Sequence, residues 1–303
     1  MTSIPPQAVE TIIRTQGENG KAFLDSLPKR LEKYADKWKL SQCKLLAHST
    51  NLIYACKSKI YGDAVIKAGV PEDGRLFTEA SAIKFYSEKE HTCKLYDCSL
   101  EDGFLLFERL TPGRLLKDAI SDPIQRTDVF LNIYEQYQLP CEDTATYPTF
   151  ISLIEAFEKN MDLYPDFAKY KGLCKKLYYE ITKDNSRKCL LHGDMHFSNI
   201  LSHGKVFKII DPHGIIGDPV FDISRFLSNE LSDAIRENRV FNSDIVFHIS
   251  KSIGVPISTL YALLVIDVTH HAGYHLGNPI SKERYIFNLN RCEAAYNMYL
   301  SVN

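Results

Sequence analysis

Residues 190–211 read LLHGDMHFSNILSHGKVFKIID. Leu190 and Leu191 end an apolar run that enters a polar turn carrying His192, Asp194, His196 and Asn199. Ile200 and Leu201 resume the apolar pattern. Ser202 to Lys205 has the composition of a tight turn, and Val206 to Ile210 reads as a second short strand. That strand runs into Asp211. The pattern predicts a loop, a hairpin and a terminal carboxylate, with Asp194, Asn199 and Asp211 converging at one end. Asn199 and Asp211 are candidate ligands for Mg²⁺, a hard cation that takes few protein oxygens beside phosphates and water. Asp194 is then the candidate catalytic carboxylate. It would orient an attacking hydroxyl and take up its proton late, because phosphoryl transfer depends mainly on positioning and electrostatics.

Upstream residues supply what such a site needs. Val65-Ile66-Lys67 places a lysine at the end of a strand, and Glu79 falls on the helix that follows. A strand lysine held by a helix carboxylate is placed to contact α- and β-phosphates. The turn between the first two strands reads His48-Ser49-Thr50-Asn51, with no glycine. Ser49 and Thr50 are its candidate phosphate contacts through hydroxyls and backbone amides. No GxxxxGK[ST] occurs, which excludes a P-loop enzyme. Gly103 to Leu110 is an apolar strand whose backbone, around Glu108 and Leu110, can meet an adenine edge.

Thr111-Pro112-Gly113 punctuates the chain. Before it the reading is mostly strand and after it mostly helix, so residues 1–110 and 111–303 form the expected domains of an α+β protein. Two helices, 7–16 and roughly 18–38, precede the first strands, with Pro28 expected to kink or divide the second. Later helices are expected at 114–120, 124–139, 149–161, 166–184, 221–236, 242–252, 256–275 and 281–302. The 303 residues are 45% hydrophobic and 24% charged, ordinary globular composition. A net charge of −2 argues against coating nucleic acid, which calls for a strongly basic surface. No run reaches the ~18 apolar residues of a membrane span. The N-terminal residues lack the apolar core of a signal peptide. The 8 scattered cysteines form no CxxC pair, so the expectation is a cytoplasmic protein with reduced thiols.

His192, Asp194, His196, Asp211 and His213 also permit a Zn²⁺ hydrolase reading. That reading leaves Lys67, Glu79 and Asn199 without a role. His192 is read as a brace for the loop, and Asp222 as an N-cap or brace. In the helical half, Asp267 lies one turn before His271. Together with Asp218 they are candidates to line a pocket for a polar or cationic acceptor.

The residues His192-Gly193-Asp194-Met195-His196-Phe197-Ser198-Asn199, then Ile210-Asp211-Pro212-His213-Gly214 and Gly217-Asp218-Pro219-Val220-Phe221-Asp222, resemble the aminoglycoside phosphotransferase family. The run looks closest to the streptomycin 6-kinase and hydroxyurea-resistance kinase branch. The resemblance extends to Gly20–Pro28, Trp38-Lys39-Leu40 and Glu108-Arg109-Leu110 with Pro112-Gly113. It implies a two-lobed protein-kinase-like fold with a small antiparallel-sheet N-lobe and a larger helical C-lobe. It also implies ATP or GTP with Mg²⁺, Asp194 as catalytic base, Asn199 and Asp211 on the metal, and Lys67 with Glu79 on the phosphates. The implied acceptor is a hydroxyl of an aminoglycoside-like compound such as streptomycin. The rivals are a metabolic kinase of the same fold acting on a sugar, amino alcohol or amino acid, and a non-catalytic nucleotide-binding module.

Overall fold

The computed structural model describes residues 4–184, 186–277 and 280–303. The chain forms two compact units. One runs up to Gly113 and also includes Ser202–Ile210; the other comprises Arg114–Leu201 and Asp211–Asn303. The division by pattern at 110/111 left the Ser202–Ile210 ribbon with the helical half. Its assignment to the first unit rests on pairings made far away in sequence.

The first unit opens with α1 (Pro6–Lys37), whose backbone leaves helical geometry at Gly17 (φ 55, ψ −134). A side chain there would crowd its own backbone, so glycine is the residue that permits the break. The break falls at the boundary expected between the helices 7–16 and 18–38, while Pro28, expected to kink or divide the second, stays inside the helix. Strands β1 (Leu40–His48), β2 (Leu52–Ser58) and β3 (Gly62–Ala68) follow, then α2 (Arg75–Phe85), β4 (Leu95–Ser99) and β5 (Phe104–Glu108). The sheet is antiparallel in the order β1-β2-β3-β5-β4. Helix α1 covers it: Phe23, Leu27, Leu31, Tyr34 and Trp38 share one buried cluster with Tyr54, Ile66, Phe104 and Leu106. The Trp38 indole N–H donates to Asp97 Oδ2 at 2.7 Å, which satisfies the polar edge of a buried ring.

β6 (Pro112–Leu115) and the one-turn α3 (Leu116–Ala119) occupy the segment expected as a helix over 114–120. Then come α4 (Pro123–Gln136), α5 (Phe150–Glu158) and α6 (Leu173–Thr182). The helix expected over 166–184 is split: a 3₁₀ stretch at Pro165–Tyr170 ends before Gly172, the residue that precedes α6. β7 (Cys189–Leu191), the hairpin β8 (Ile200–His203) and β9 (Val206–Ile209), and β10 (Ile215–Gly217) frame the quoted stretch. β7 pairs antiparallel with β10, Leu191 opposite Ile215. Four helices complete the chain: α7 (Val220–Arg236), α8 (Asp244–Ile253), α9 (Ile257–Leu276) and α10 (Lys282–Leu300). The middle of α9 from Leu260 to Thr269 is buried on every side. It sits among α5, α6, α7 and α10, which explains its lack of an amphipathic stripe. Among the described residues, no single helix is long and apolar enough to cross a membrane.

Candidate active site

In the first unit, Lys67 lies on β3 opposite Leu105 of β5. Its Nζ is 2.6 Å from Glu79 Oε2 on α2, and both side chains are buried. The strand lysine and helix carboxylate read from sequence are thus brought together. The Ser49–Thr50 turn closes through a Ser49 N–H to Asn51 O bond of 3.0 Å, and Ser49 is exposed. Leu110 is buried at the boundary. Glu108 differs from expectation. Its carboxylate takes Lys208 Nζ at 2.5 Å and the Lys94 N–H at 2.7 Å. Its own N–H donates to Lys94 O at 2.9 Å. The Lys208 contact ties β5 to the ribbon of residues 202–210, and with the two bonds to Lys94 it engages both the side chain and the N–H of Glu108.

In the second unit, Leu191 leads from β7 into the loop. Gly193 has φ +77, and a Cβ there would lie 2.5 Å from Ile215 Cδ1, so glycine is required twice over. The loop is braced from α7: the Asp222 carboxylate accepts the N–H of His192 at 2.9 Å and of Gly193 at 2.8 Å. Burial pushes Asp222 up to about 7, against the pull of those two N–H groups. His192 is fully buried, and its Nδ1 accepts the Asp194 N–H at 3.2 Å. Burial lowers it to about 4, so it is the neutral tautomer protonated at Nε2. The reading of His192 and Asp222 as braces matches this geometry.

Asp194 and Asn199 are in direct contact. Asn199 Nδ2 donates to both the backbone O and Oδ2 of Asp194, each at 3.0 Å. Donating with Nδ2 turns Asn199 Oδ1 to the other side of the amide, as a metal ligand requires. Asp211 follows β9 in the left-handed region, φ 59. The charges of Asp194 and Asp211 both pull His192 up against its burial. An amide oxygen and a carboxylate form a donor set suited to Mg²⁺, which completes its shell with water and phosphate. Among the described residues no three His, Cys, Asp or Glu side chains form a metal-holding group. The hydrolase reading needed such a cage.

Arg225, on α7, was not singled out from sequence. Its Nε donates to Asp194 Oδ1 at 2.6 Å, and its Nη1 lies 3.6 Å from Asp267 Oδ2. Burial alone would raise the Asp194 carboxyl. Arg225, with His196 at 3.4 Å, outweighs it and holds the group well below the usual carboxylate range. The available signal was spacing: Arg225 is three residues after Asp222, on the same side of α7.

The three acceptor candidates fall differently. Asp267 and His271 do come together, Nε2 to Oδ1 at 3.7 Å. Asp267 also accepts a short hydrogen bond from Ser228 Oγ. Burial first, then Arg225, keeps His271 well below the usual imidazole range, so it is neutral. Asp218 stands apart. Its oxygens accept the N–H groups of Arg187 at 2.9 Å and Val220 at 3.1 Å, so it anchors the start of α7 and its carboxylate is spent on the fold. A cationic acceptor thus finds Asp218 capped, and Asp194 and Asp267 already facing Arg225.

Comparison with known proteins places this geometry. The sequence model described as aminoglycoside/hydroxyurea antibiotic resistance kinase matches residues 47–250, about two thirds of the chain. The chain is 24% identical to the hydroxyurea phosphotransferase of Kitasatospora aureofaciens over 237 residues, 76% of this chain and 69% of that protein. It is 23% identical to the streptomycin 6-kinase of Streptomyces griseus over 229 residues, 73% of each. In fold it is similar to the choline kinase of Streptococcus pneumoniae, with a TM-score of 0.66, 15% identity, and coverage of 92% of this chain and 99% of that one. The loop, the strand lysine and the match across both units lead to one conclusion: the chain belongs to the aminoglycoside/hydroxyurea antibiotic resistance kinase family and is a phosphotransferase with an alcohol group as acceptor.

Proposed function

We propose that this enzyme moves the γ-phosphoryl group of ATP, or of GTP, to a hydroxyl of a small polar compound, with Mg²⁺. The observation that supports the reading is the pair of hydrogen bonds that Asn199 Nδ2 donates to the backbone O and to Oδ2 of Asp194, which joins a candidate metal ligand to a candidate catalytic carboxylate. Asp194 orients the acceptor hydroxyl. A carboxylate so depressed is a weak base, which suits a loose transition state in which the proton moves late. Asn199 and Asp211 hold Mg²⁺, which offsets charge developing on the phosphoryl oxygens. Lys67, fixed by Glu79, contacts the α- and β-phosphates. The turn at Ser49 and Thr50 supplies amides and hydroxyls to the phosphates, and the backbone near Leu110 meets the adenine edge. The relatives act, by name, on hydroxyurea and streptomycin, so a role in drug resistance in the cytoplasm is part of the proposal.

The test is ADP release across a panel of hydroxyl compounds that includes hydroxyurea and streptomycin. Acceptor-dependent turnover is expected, falling 10²- to 10⁴-fold in Asp194→Asn with the fold intact by circular dichroism. Turnover that survives this substitution removes Asp194 from the chemistry.

A further inference from the structure

The hairpin that carries the Ser49–Thr50 turn holds two thiols across from each other. Along β1 and β2, Ser41 faces Lys57 and Lys44 faces Ala55, so Gln42 and Cys43 together stand opposite the single residue Cys56. Two residues against one is a β-bulge. The extra residue is Gln42, in the left-handed region with φ 52. Beyond the bulge Leu45 faces Tyr54. Cys43 and Leu45 pack against the buried cluster that includes Tyr54 and Cys56, so both sulfurs lie on the face of the sheet that α1 covers. Facing positions of an antiparallel pair have Cα atoms about 4.5–5.5 Å apart. A disulfide bridges Cα atoms about 4.4–6.8 Å apart.

The two thiols differ in access and in reactivity. Both are free, Cys43 is partly exposed, and Cys56 is buried. A hydrogen bond between them lowers Cys43 against its burial, and the same bond together with burial raises Cys56. The thiolate is the attacking form. The outer sulfur is therefore the nucleophile toward a solute, and the inner one is placed to attack the outer.

We propose that Cys43 and Cys56 are a redox pair, which a low-molecular-weight disulfide oxidises to an intramolecular bond that staples β1 to β2 below the Ser49–Thr50 turn. The Cys43 thiolate attacks one sulfur of the reagent, forms a mixed disulfide and expels the first thiolate. Cys56 loses its proton to that thiolate and attacks Cys43 Sγ, which breaks the mixed disulfide and expels the second. Two electrons pass from the cysteines to the reagent, and the two thiol protons end on the two released thiols. β1 is an edge strand that joins the sheet through β2 alone. The bond closes a ring from Cys43 to Cys56 that contains the whole turn, so the edge strand can no longer peel away locally. In a reducing compartment such bonds are transient, which makes the rigidity of the turn depend on the redox state. None of this requires the phosphotransferase reading.

The test treats the full chain with oxidised glutathione under native conditions, then blocks free thiols and maps tryptic peptides by mass spectrometry. A peptide pair joined through Cys43 and Cys56 is expected, two hydrogens lighter than the reduced pair and separated by dithiothreitol. Amide exchange in β1 and the turn is expected to slow about 10-fold or more in the oxidised chain. Cys56→Ala should keep glutathione on Cys43 as a stable mixed disulfide. If that variant does not fold, Cys43→Ser, at the partly exposed position, should leave Cys56 unmodified. Absence of the linked peptide, or a mixed disulfide that persists on Cys43 in the unaltered chain, overturns the pair. Glutathione on Cys56 in Cys43→Ser overturns the order of attack, and unchanged exchange at the turn overturns the staple.

Discussion

Replacing Arg225 with methionine removes the charge that links Asp194 and Asp267 while keeping most of the side-chain volume. At a separation of about 4 Å and an effective dielectric of about 20, one such ion pair has a gross strength of about 4 kcal/mol. Desolvation takes back part of this, and breaking a buried pair from one side costs about 3–5 kcal/mol. Arg225 answers two carboxylates, at 2.6 and 3.6 Å, and only 16% of its side chain is exposed. Asn199 and His196 still support Asp194, which limits the loss. The expected destabilisation is about 3–4 kcal/mol at pH 7, read from urea unfolding followed by far-ultraviolet circular dichroism. The sign with pH follows from Asp194. Its folded value lies below the unfolded value of about 3.9, so its contribution is fully present above that value and is lost as pH falls through the folded one. The variant lacks this contribution, so the gap from wild type should hold from pH 7 down to about 4 and narrow below about 4. Arg225→Lys should recover part of the stability, since it keeps the charge and loses the fork. A loss under about 1 kcal/mol, or a gap that does not change with pH, refutes the network.

Lys67→Met leaves Glu79 buried beside an apolar chain and should cost about 3–5 kcal/mol; adding Glu79→Leu should restore part of it, and strict additivity in this double-mutant cycle would deny the pair. Asp211→Ala should weaken Mg-ATP binding at least 10-fold while nucleotide binding without Mg²⁺ changes little, and calorimetry showing equal Mg-ATP affinity would remove Asp211 from the metal. Asp222, pushed up to about 7, holds a proton that the unfolded chain has released above about 3.9. Its contribution to stability therefore falls as pH rises from about 4 to 7; Asp222→Asn should flatten that part of the stability profile, and an unchanged slope counts against a raised value.

The quoted stretch could be read early because its chemistry is local. Asp194 and Asn199 are five residues apart, so one loop suffices to join them. The tight turn at Ser202–Lys205 and the β8–β9 hairpin follow from adjacent residues in the same way. Lys67 and Glu79 were readable because a strand, a short turn and a helix leave few ways to place them. The side-chain partner of Glu108 could not be read because Lys208 is a hundred residues away. Asp218 was misjudged because an exposed-looking carboxylate in a Gly/Pro-rich loop turns out to cap two backbone amides. The strands β7 and β10 are three residues each, too short to show any period.

Periodicity, turn residues and the spacing of a few polar side chains were enough for the strand-rich and helix-rich halves and for the candidate site, because each of these acts over about a dozen residues; the family came from the resemblance of whole motif runs. Which charges cancel was settled only when α7, α9 and α10 packed together. Arg225 reaches Asp194 across 31 positions, and Ser228 reaches Asp267 across 39. Arg291 looks like any surface arginine in the sequence, yet it is buried and forms no ion pair with the described residues. Desolvation gives such a charge its weight, and desolvation exists only in the packed chain.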